Sequence, residues 1–84
     1  MAQPRVMLYA LTTCSHCRNA KKLLDENDIA YDILEVDLTQ GDERTAAIDA
    51  VKKYNPSCTF PTLLIGEKVI VGYRENEIKE ALGI

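Results

Sequence analysis

Apolar residues at the start of the chain change from a strand pattern to a helix pattern. Residues 5–11 form an apolar run of strand length without alternation, which predicts a strand buried on both faces. Helical spacing follows in Ala20, Leu23 and Leu24, up to a polar stop at Asn27-Asp28. The chain therefore opens with a strand that turns into an amphipathic helix.

The middle of the chain predicts a second strand and a second helix. Residues 29–36 have the apolar, partly β-branched character of a strand, and residues 37–41 that of a loop. Residues 42–54 place apolar side chains on one helical face, and Asn55-Pro56 prevents the helix from continuing. That face comprises Ala47, Ala50 or Val51, and Tyr54.

The last third of the chain predicts a β-hairpin and a third helix. Thr62–Ile65 and Lys68–Val71 are short apolar runs joined by Gly66-Glu67, and glycine suits the first position of a tight turn. The short helix that follows is marked by Ile78, Ala81 and Leu82 and closed by Gly83.

These elements predict an α/β fold in the order β-α-β-α-β-β-α. The first strand, helix and second strand form a right-handed parallel unit, and the hairpin adds two antiparallel strands on its other side. We expect a four-stranded mixed sheet flanked by three helices, in a single domain over residues 1–84.

Composition and charge exclude several classes of protein. Of the 84 residues, 46% are hydrophobic and 27% charged, as in an ordinary folded domain. The net charge of -3 comes from acids and bases mixed along the chain, so nucleic acid is not an expected partner. No segment reaches membrane-spanning length, and residues 1–11 lack the features of a secretory signal. We therefore expect a cytoplasmic protein with no membrane contact.

The most informative feature is the motif Cys14-Ser15-His16-Cys17 at the predicted start of the first helix. Its spacing lets two sulfurs approach bonding distance while keeping them chemically unequal. Cys14 lies where unpaired backbone N–H groups and the helix dipole favour a thiolate. We expect Cys14 to attack a disulfide, and Cys17, one turn in and partly buried, to keep its proton longer and then release the mixed disulfide.

The only histidine, His16, lies between the two cysteines. Its ring can donate a hydrogen bond to the Cys14 sulfur or, when protonated, place a positive charge beside it; the alternative is that it is a bystander. Arg18 and Lys21 act in the same direction. Whatever stabilises the thiolate raises the reduction potential, by about 30 mV for each ~1.4 kcal/mol in a two-electron couple.

Other interpretations of the cysteines and of Pro61 stay open. Cys-x-x-Cys is half of many zinc sites, but a second pair is missing, so zinc would need a dimer that shares cysteines, and we expect no metal. Cys58 is either a half-exposed loop residue or an alternative resolving or regulatory thiol near Cys14. Pro61, just ahead of a strand, is either an edge residue or part of a cis peptide.

Three motifs in register resemble the glutaredoxin family: the cysteine pair after the first strand, Phe60-Pro61-Thr62 opening the third, and Val71-Gly72-Tyr73-Arg74 after the fourth. The resemblance covers residues 6–82. It implies a thioredoxin-like fold, with Cys14 as nucleophile, Cys17 as resolving thiol and a cis-proline at Pro61. Substrate contacts are implied for Thr13, Phe60, Pro61, Gly72 and Tyr73.

The resemblance also implies the activity and its partners. The chain would be a dithiol thiol–disulfide oxidoreductase that reduces protein disulfides or glutathione mixed disulfides. Its cysteines would cycle through a disulfide, with roles in electron transport and cell redox homeostasis. No cofactor would be permanently bound, and glutathione or thioredoxin reductase would supply the electrons.

The sequence departs from glutathione-using members where those carry charged anchors. Leu11 replaces a common Lys, Ser15-His16 a Pro-Tyr pair, and Val71-Gly72-Tyr73-Arg74 a Gly-Gly turn with an acid, for which Glu75 is a candidate substitute. The segment Gly72-Tyr73-Arg74 is similar to the Gly-Phe-Arg of glutaredoxin-like redoxins that serve ribonucleotide reductase and use thioredoxin reductase. The histidine between the cysteines is similar to that of disulfide isomerases and periplasmic thiol oxidants.

Two rival functions belong to other classes. One is a metal or iron–sulfur carrier that uses the Cys-x-x-Cys motif, although such relatives usually keep a single cysteine followed by glycine, unlike Ser15 and Cys17. The other is a binding module that keeps the fold without the activity, although loss of activity would not ordinarily leave both cysteines and Pro61 in place.

Overall fold

The structure, a computed structural model, describes residues 4–84 and builds them into one mixed β-sheet with helices on both faces. The strands are β1 Val6–Ala10, β2 Asp32–Glu35, β3 Thr62–Ile65 and β4 Lys68–Val71. The helices are α1 Ser15–Glu26, α2 Gly41–Tyr54 and α3 Glu75–Leu82, and a short 3-10 helix, Val36–Leu38, follows β2. The predicted order of strands and α-helices is confirmed.

The strands are arranged in the order β2-β1-β3-β4. β1 runs parallel to β2 and antiparallel to β3, which pairs with β4 in the hairpin. Gly66 has a φ of +61° in the hairpin turn, and Gly83 has a φ of +75° at the end of α3. Both values lie in the left-handed region that glycine adopts readily, so the predicted hairpin and helix end are confirmed.

Side chains of β1 alternate between two hydrophobic cores. Val6, Leu8 and Ala10 face the α1-side core, which α1 and α3 cover, and Tyr9 faces the α2-side core, which α2 covers. Of the five β1 residues only Met7 is not buried. The prediction that this strand is buried on both faces is therefore confirmed.

The second strand is shorter than predicted. The N–H of Ile29 donates to the carbonyl of Leu24 at 2.9 Å and so completes the end of α1. At the other end, the Thr39 hydroxyl donates to the carbonyl of Val36 at 2.6 Å and stabilises the 3-10 turn. Only the four residues of β2 are left to pair with β1, and the predicted loop at 37–41 is partly helical.

The predicted apolar face of α2 is correct for Ala47 and Val51, which are buried, and wrong for Tyr54. Tyr54 is the last residue of α2 and is 39% exposed, with its ring centroid 5.8 Å from the Lys53 ammonium. The residue that turns inward at this end of the helix is instead Asn55. Within residues 4–84, no helix is long and apolar enough to cross a membrane.

Candidate active site

Cys14 lies at the corner where β1 leads into α1, as predicted. It is the N-cap residue of α1, and its Sγ accepts a hydrogen bond from the backbone N–H of Cys17 at 3.3 Å. The first turn of α1 contains no acidic residue. The free N–H groups and the dipole of this helix therefore act on a half-buried sulfur that no nearby helical carboxylate opposes.

Cys17 is completely buried, at 0% exposure, whereas the sequence predicted partial burial. The difference arises because Cys17 lies on the same face of α1 as Ala20 and Leu24, inside the α1-side core. Burial, and next the hydrogen bond with Cys14, raise the pKa of Cys17 to about 12. The N–H of Leu11, 3.5 Å from the sulfur, acts in the opposite direction without reversing the shift. The two thiols thus occupy very different environments.

The proline loop, which leads into β3 next to β1, faces Cys14. The peptide between Phe60 and Pro61 is cis, which decides the alternative left open by the sequence. The carbonyl oxygen of Phe60 lies 4.0 Å from Cys14 Sγ, and that of Pro61 accepts the N–H of Gly72 at 2.8 Å. Gly72 has a φ of +86°, which favours glycine. The proline loop therefore joins the other two motifs, because Phe60 lies beside the Cys14 sulfur and Pro61 is bonded to Gly72.

The remaining predicted site residues differ in placement. Tyr73 follows Gly72, is half-buried and packs against the α1-side core; burial raises its pKa. Thr13 is exposed in the turn before Cys14. His16 is also exposed, and its ring makes no hydrogen bond to the Cys14 sulfur or to any other group in the described part of the chain. The predicted hydrogen bond from His16 to the Cys14 sulfur is therefore absent from the described part of the chain, and the predicted effect of a positive charge beside that sulfur stays a prediction.

The basic residues of α1 also differ from each other. Lys21 Nζ lies 3.1 Å from a carboxylate oxygen of Glu35 in β2, and both side chains are less than one third exposed. Its charge is therefore partly compensated, which weakens the predicted effect on Cys14. Arg18 is exposed and keeps its charge at the surface of the first turn.

One contact of the site was missed by the sequence analysis. The carboxylate of Asp37 accepts the N–H of Thr12 at 3.1 and 3.2 Å and also accepts the Thr12 hydroxyl. These bonds, that of the hydroxyl above all, lower the pKa of Asp37. Thr12 comes soon after β1 and Asp37 soon after the adjacent parallel strand β2, a relation that would have suggested the pairing. The contact braces the turn two residues before Cys14.

Cys58 packs on the opposite side of the sheet from Cys17. It is half-buried in the α2-side core, where it lines a cavity of about 250 Å³ together with Leu11, Ile48 and Phe60. Phe60 contacts both cores, so the loop does face the motif, but Cys58 itself lies away from the α1-side core against which Cys14 packs.

All three cysteines are free thiols. Among residues 4–84, no three His, Cys, Asp or Glu side chains are grouped so that they could hold a metal ion. What the arrangement offers chemically is one accessible sulfur at a helix N-terminus and one buried thiol within its reach.

Known proteins resemble this chain in sequence over most of its length. The family model described as glutaredoxin matches residues 6–70. Glutaredoxin 1 of Rickettsia bellii (strain RML369-C) is 35% identical over 68 residues, which cover 80% of this chain and 67% of the relative. The chain therefore spans about two thirds of the length of this curated relative.

Solved structures resemble the whole fold. Methanoredoxin of Methanosarcina acetivorans is 36% identical with a TM-score of 0.92, covering 100% of this chain and 97% of that one. A glutaredoxin of Methanosarcina mazei Go1 is 43% identical with a TM-score of 0.87, covering 96% and 80%. A buckwheat glutaredoxin in complex with glutathione is 28% identical with a TM-score of 0.71, covering 96% and 71%. The predicted thioredoxin-like fold is confirmed.

Proposed function

We propose a role for each cysteine from the premise that this chain belongs to the glutaredoxin family and is a thiol–disulfide oxidoreductase. Cys14 is the nucleophile and Cys17 the resolving thiol. The observation that carries this assignment is the asymmetry of the pair: Cys14 caps the helix, whereas Cys17 is wholly buried with its pKa raised to about 12.

In the first step, the Cys14 thiolate attacks one sulfur of a substrate disulfide. The substrate S–S bond breaks, a bond forms between Cys14 Sγ and that sulfur, and the other sulfur leaves as a thiolate that takes a proton from water. The N–H groups at the start of α1 support the negative charge before attack.

In the second step, Cys17 attacks Cys14 Sγ and gives up its proton, which the departing substrate sulfur takes up. The bond to the substrate breaks, its sulfur leaves as a thiolate, and a Cys14–Cys17 disulfide forms, so that the substrate gains two electrons. The hydrogen bond with the Cys14 sulfur is one cause of the high Cys17 pKa in the free enzyme. A sulfur in a mixed disulfide holds no negative charge and accepts hydrogen bonds weakly, so we expect this cause to lessen once the substrate is attached. Resolution therefore follows attack rather than preceding it.

The substrate lies along the proline loop and the turn after β4. Phe60 presents its backbone beside Cys14, and Pro61 and Gly72 are joined by a hydrogen bond next to it. We include in this surface Thr13, which is exposed just before Cys14, and Tyr73, which is half-buried and follows Gly72. We infer that the substrates are protein disulfides and glutathione mixed disulfides. We also place the enzyme in a reducing, cytoplasmic setting, where a cysteine pair that passes electrons to disulfides can itself be kept reduced.

Electrons return from glutathione or from thioredoxin reductase. The buckwheat relative binds glutathione, which supports the first source. Leu11 in place of a lysine removes one charged anchor for glutathione, and Glu75, the candidate substitute for another, lies 3.6 Å from Lys79; both support the second. Turnover with glutathione and its reductase, compared with turnover on thioredoxin reductase, identifies the source.

The experiment that tests the assignment is a trapping reaction. Cys17→Ser, incubated with a disulfide peptide, should accumulate a mixed disulfide at Cys14, detected by intact mass and peptide mapping. Cys58→Ser is the matched control and should complete turnover without accumulation. Accumulation at Cys58, or none at all, would refute the roles given. Stoichiometric iron with a visible absorption in the purified wild type would instead favour the cluster carrier.

A further inference from the structure

Asn55 is a polar residue that the fold buries at the carboxyl end of α2. It is 4% exposed, although the sequence suggested only that it helps to end the helix. Its Nδ2 donates to the carbonyl of Thr59 at 3.1 Å, to the hydroxyl of Thr59 at 3.0 Å and to the hydroxyl of Thr62 at 3.2 Å. All three acceptors belong to the segment that carries the proline loop.

The network closes on itself across the loop. The Thr62 hydroxyl donates in turn to the carbonyl of Thr59 at 2.8 Å. The backbone of Asn55 adds two further bonds, donating to Val51 at 2.7 Å and accepting the N–H of Cys58 at 2.8 Å. Thr59 and Thr62 flank Phe60-Pro61 directly, so both ends of this dipeptide are tied to the last turn of α2.

The dipeptide held in this way is the part of the loop that faces the reacting sulfur. The Phe60 carbonyl lies 4.0 Å from Cys14 Sγ, and the Pro61 carbonyl accepts Gly72. Asn55 bonds to neither cysteine of the motif. Any influence of Asn55 on the reaction therefore passes through the position of Phe60 and Pro61.

Filling space at this position does not require an amide. An apolar side chain of similar size would avoid the cost of burying polar atoms, which is offset only when their hydrogen bonds are made. Here every side-chain donor bond is directed to the loop, and no buried side-chain polar atom is left unsatisfied among the described residues. The hydrogen bonds of the network therefore stabilise the conformation of the loop.

We propose that Asn55 is a positioning residue of the thiol–disulfide reaction, which holds Phe60-Pro61 so that a bound disulfide meets Cys14 in line. The inference rests on the proposed role of Cys14 as nucleophile. It predicts that reactions which use the loop depend on Asn55, while reactions of Cys14 with small reagents do not.

The test compares two reagents on purified variants of the full chain. One is a glutathione–peptide mixed disulfide, and the other is iodoacetamide, which is too small to need the loop. Asn55→Leu removes the donors and keeps the volume. We expect its second-order rate constant with the disulfide to fall roughly ten-fold, as misplacement of reacting groups does, and that with iodoacetamide to stay within about two-fold.

Matched variants separate positioning from stability. Lys52→Gly weakens the last turn of α2 at an exposed position outside both cores, and Asn27→Leu alters the equivalent end of α1, where Asn27 Nδ2 donates to its own helix at 2.8 Å. Both should keep the wild-type ratio of the two rate constants. Thr62→Val, which lacks the shared hydroxyl, should lower the ratio, and Thr62→Ser should restore it.

The ratio of the two rate constants decides whether Asn55 positions the loop or only stabilises the fold. If Asn55→Leu leaves both rate constants unchanged or lowers them equally, or if Lys52→Gly lowers the ratio as much, the network has only a structural role and the proposal fails. Should Asn55→Leu not fold, the Thr62→Val and Thr62→Ser pair gives the same comparison. Failure of the proposed function is distinguishable, because Cys14→Ser would then still react with the disulfide at the wild-type rate.

Discussion

The helices α1 and α2 differ in whether charged side chains at their ends compensate the helix dipole. The first turn of α2 contains Asp42 and Glu43, and its last turn Lys52 and Lys53, which is the arrangement that compensates the dipole. α1 has no acidic residue in its first turn and no basic residue in its last, and its N-cap is the sulfur of Cys14.

The two helices differ in which group interacts with the partial positive charge at the helix N-terminus. In α2 the positive end is neutralised by carboxylates of the same turn, which favours helix stability. In α1 no carboxylate of the first turn neutralises the positive end, so the dipole acts on the Cys14 sulfur. The helix is correspondingly less stable than it would be with an acidic residue in that turn. Cys17, one turn further and inside the core, lies beyond the cap and has its pKa raised by burial.

Cys14→Ser should have the largest effect, because it removes the sulfur from the N-cap of α1 and leaves the helix itself in place. Serine is a good N-cap, so α1 keeps its start and the free energy of unfolding should change by no more than about 1 kcal/mol. Reduction of a disulfide substrate should fall to the uncatalysed background, because a hydroxyl does not form the mixed disulfide. Turnover assays and urea melts measure the two quantities. Retained turnover in this variant would show that the sulfur at the α1 cap is not the nucleophile.

Ser15→Glu should make the start of α1 resemble that of α2. A carboxylate in the first turn competes for the dipole, worth about 0.3–1 kcal/mol at an exposed position. Alkylation of Cys14 by iodoacetamide at pH 7 should slow by about two- to five-fold, and the loss should shrink in 1 M salt. An unchanged rate at low salt would mean that the dipole does not act on this sulfur.

The matched control for that substitution lies in α2. Glu43→Gln removes an acid from a first turn that contains no cysteine. It should lower the free energy of unfolding by about 0.3–1 kcal/mol and leave the alkylation of Cys14 unaltered. A slower alkylation here would indicate that both substitutions act through general stability.

The parts of the fold that the sequence predicted best depend on local signals. Gly66 and Gly83 define a turn and a helix end by their own backbone freedom, and the hairpin strands Thr62–Ile65 and Lys68–Val71 were predicted to the residue. The position of Cys14 follows likewise from the adjacency of an apolar run and a helical pattern.

What the sequence missed depends on contacts between distant segments. The full burial of Cys17 arises from the packing of α1 on the sheet, and the brace between Thr12 and Asp37 joins residues that only the parallel pairing of β1 and β2 brings together. The network of Asn55 likewise needs the loop to fold back on α2. The predicted parallel pairing of β1 and β2 could have suggested the Thr12–Asp37 brace, whereas no pattern in the sequence indicates the burial of Cys17 to 0% or the network of Asn55.

The smallest expected effect concerns the hydrogen bonds between Thr12 and Asp37, which hold the turn before α1. The start of α2 has no comparable contact, because its N-cap residue, Gln40, makes no side-chain cap bond. Thr12 holds the pKa of Asp37 below its usual range, so the folded protein binds this proton less readily than the unfolded chain. The resulting stability is complete above the ordinary aspartate pKa of about 4 and is lost as the pH falls through the lower folded value. Wild type should therefore exceed Asp37→Asn in the free energy of unfolding at neutral pH, and the two should converge in acid. Asp32→Asn, which removes an exposed carboxylate of β2 and leaves the Thr12–Asp37 brace in place, is the matched control. A difference for Asp37→Asn that is constant from pH 7 to about pH 2 would mean that the carboxylate charge plays no part in the brace.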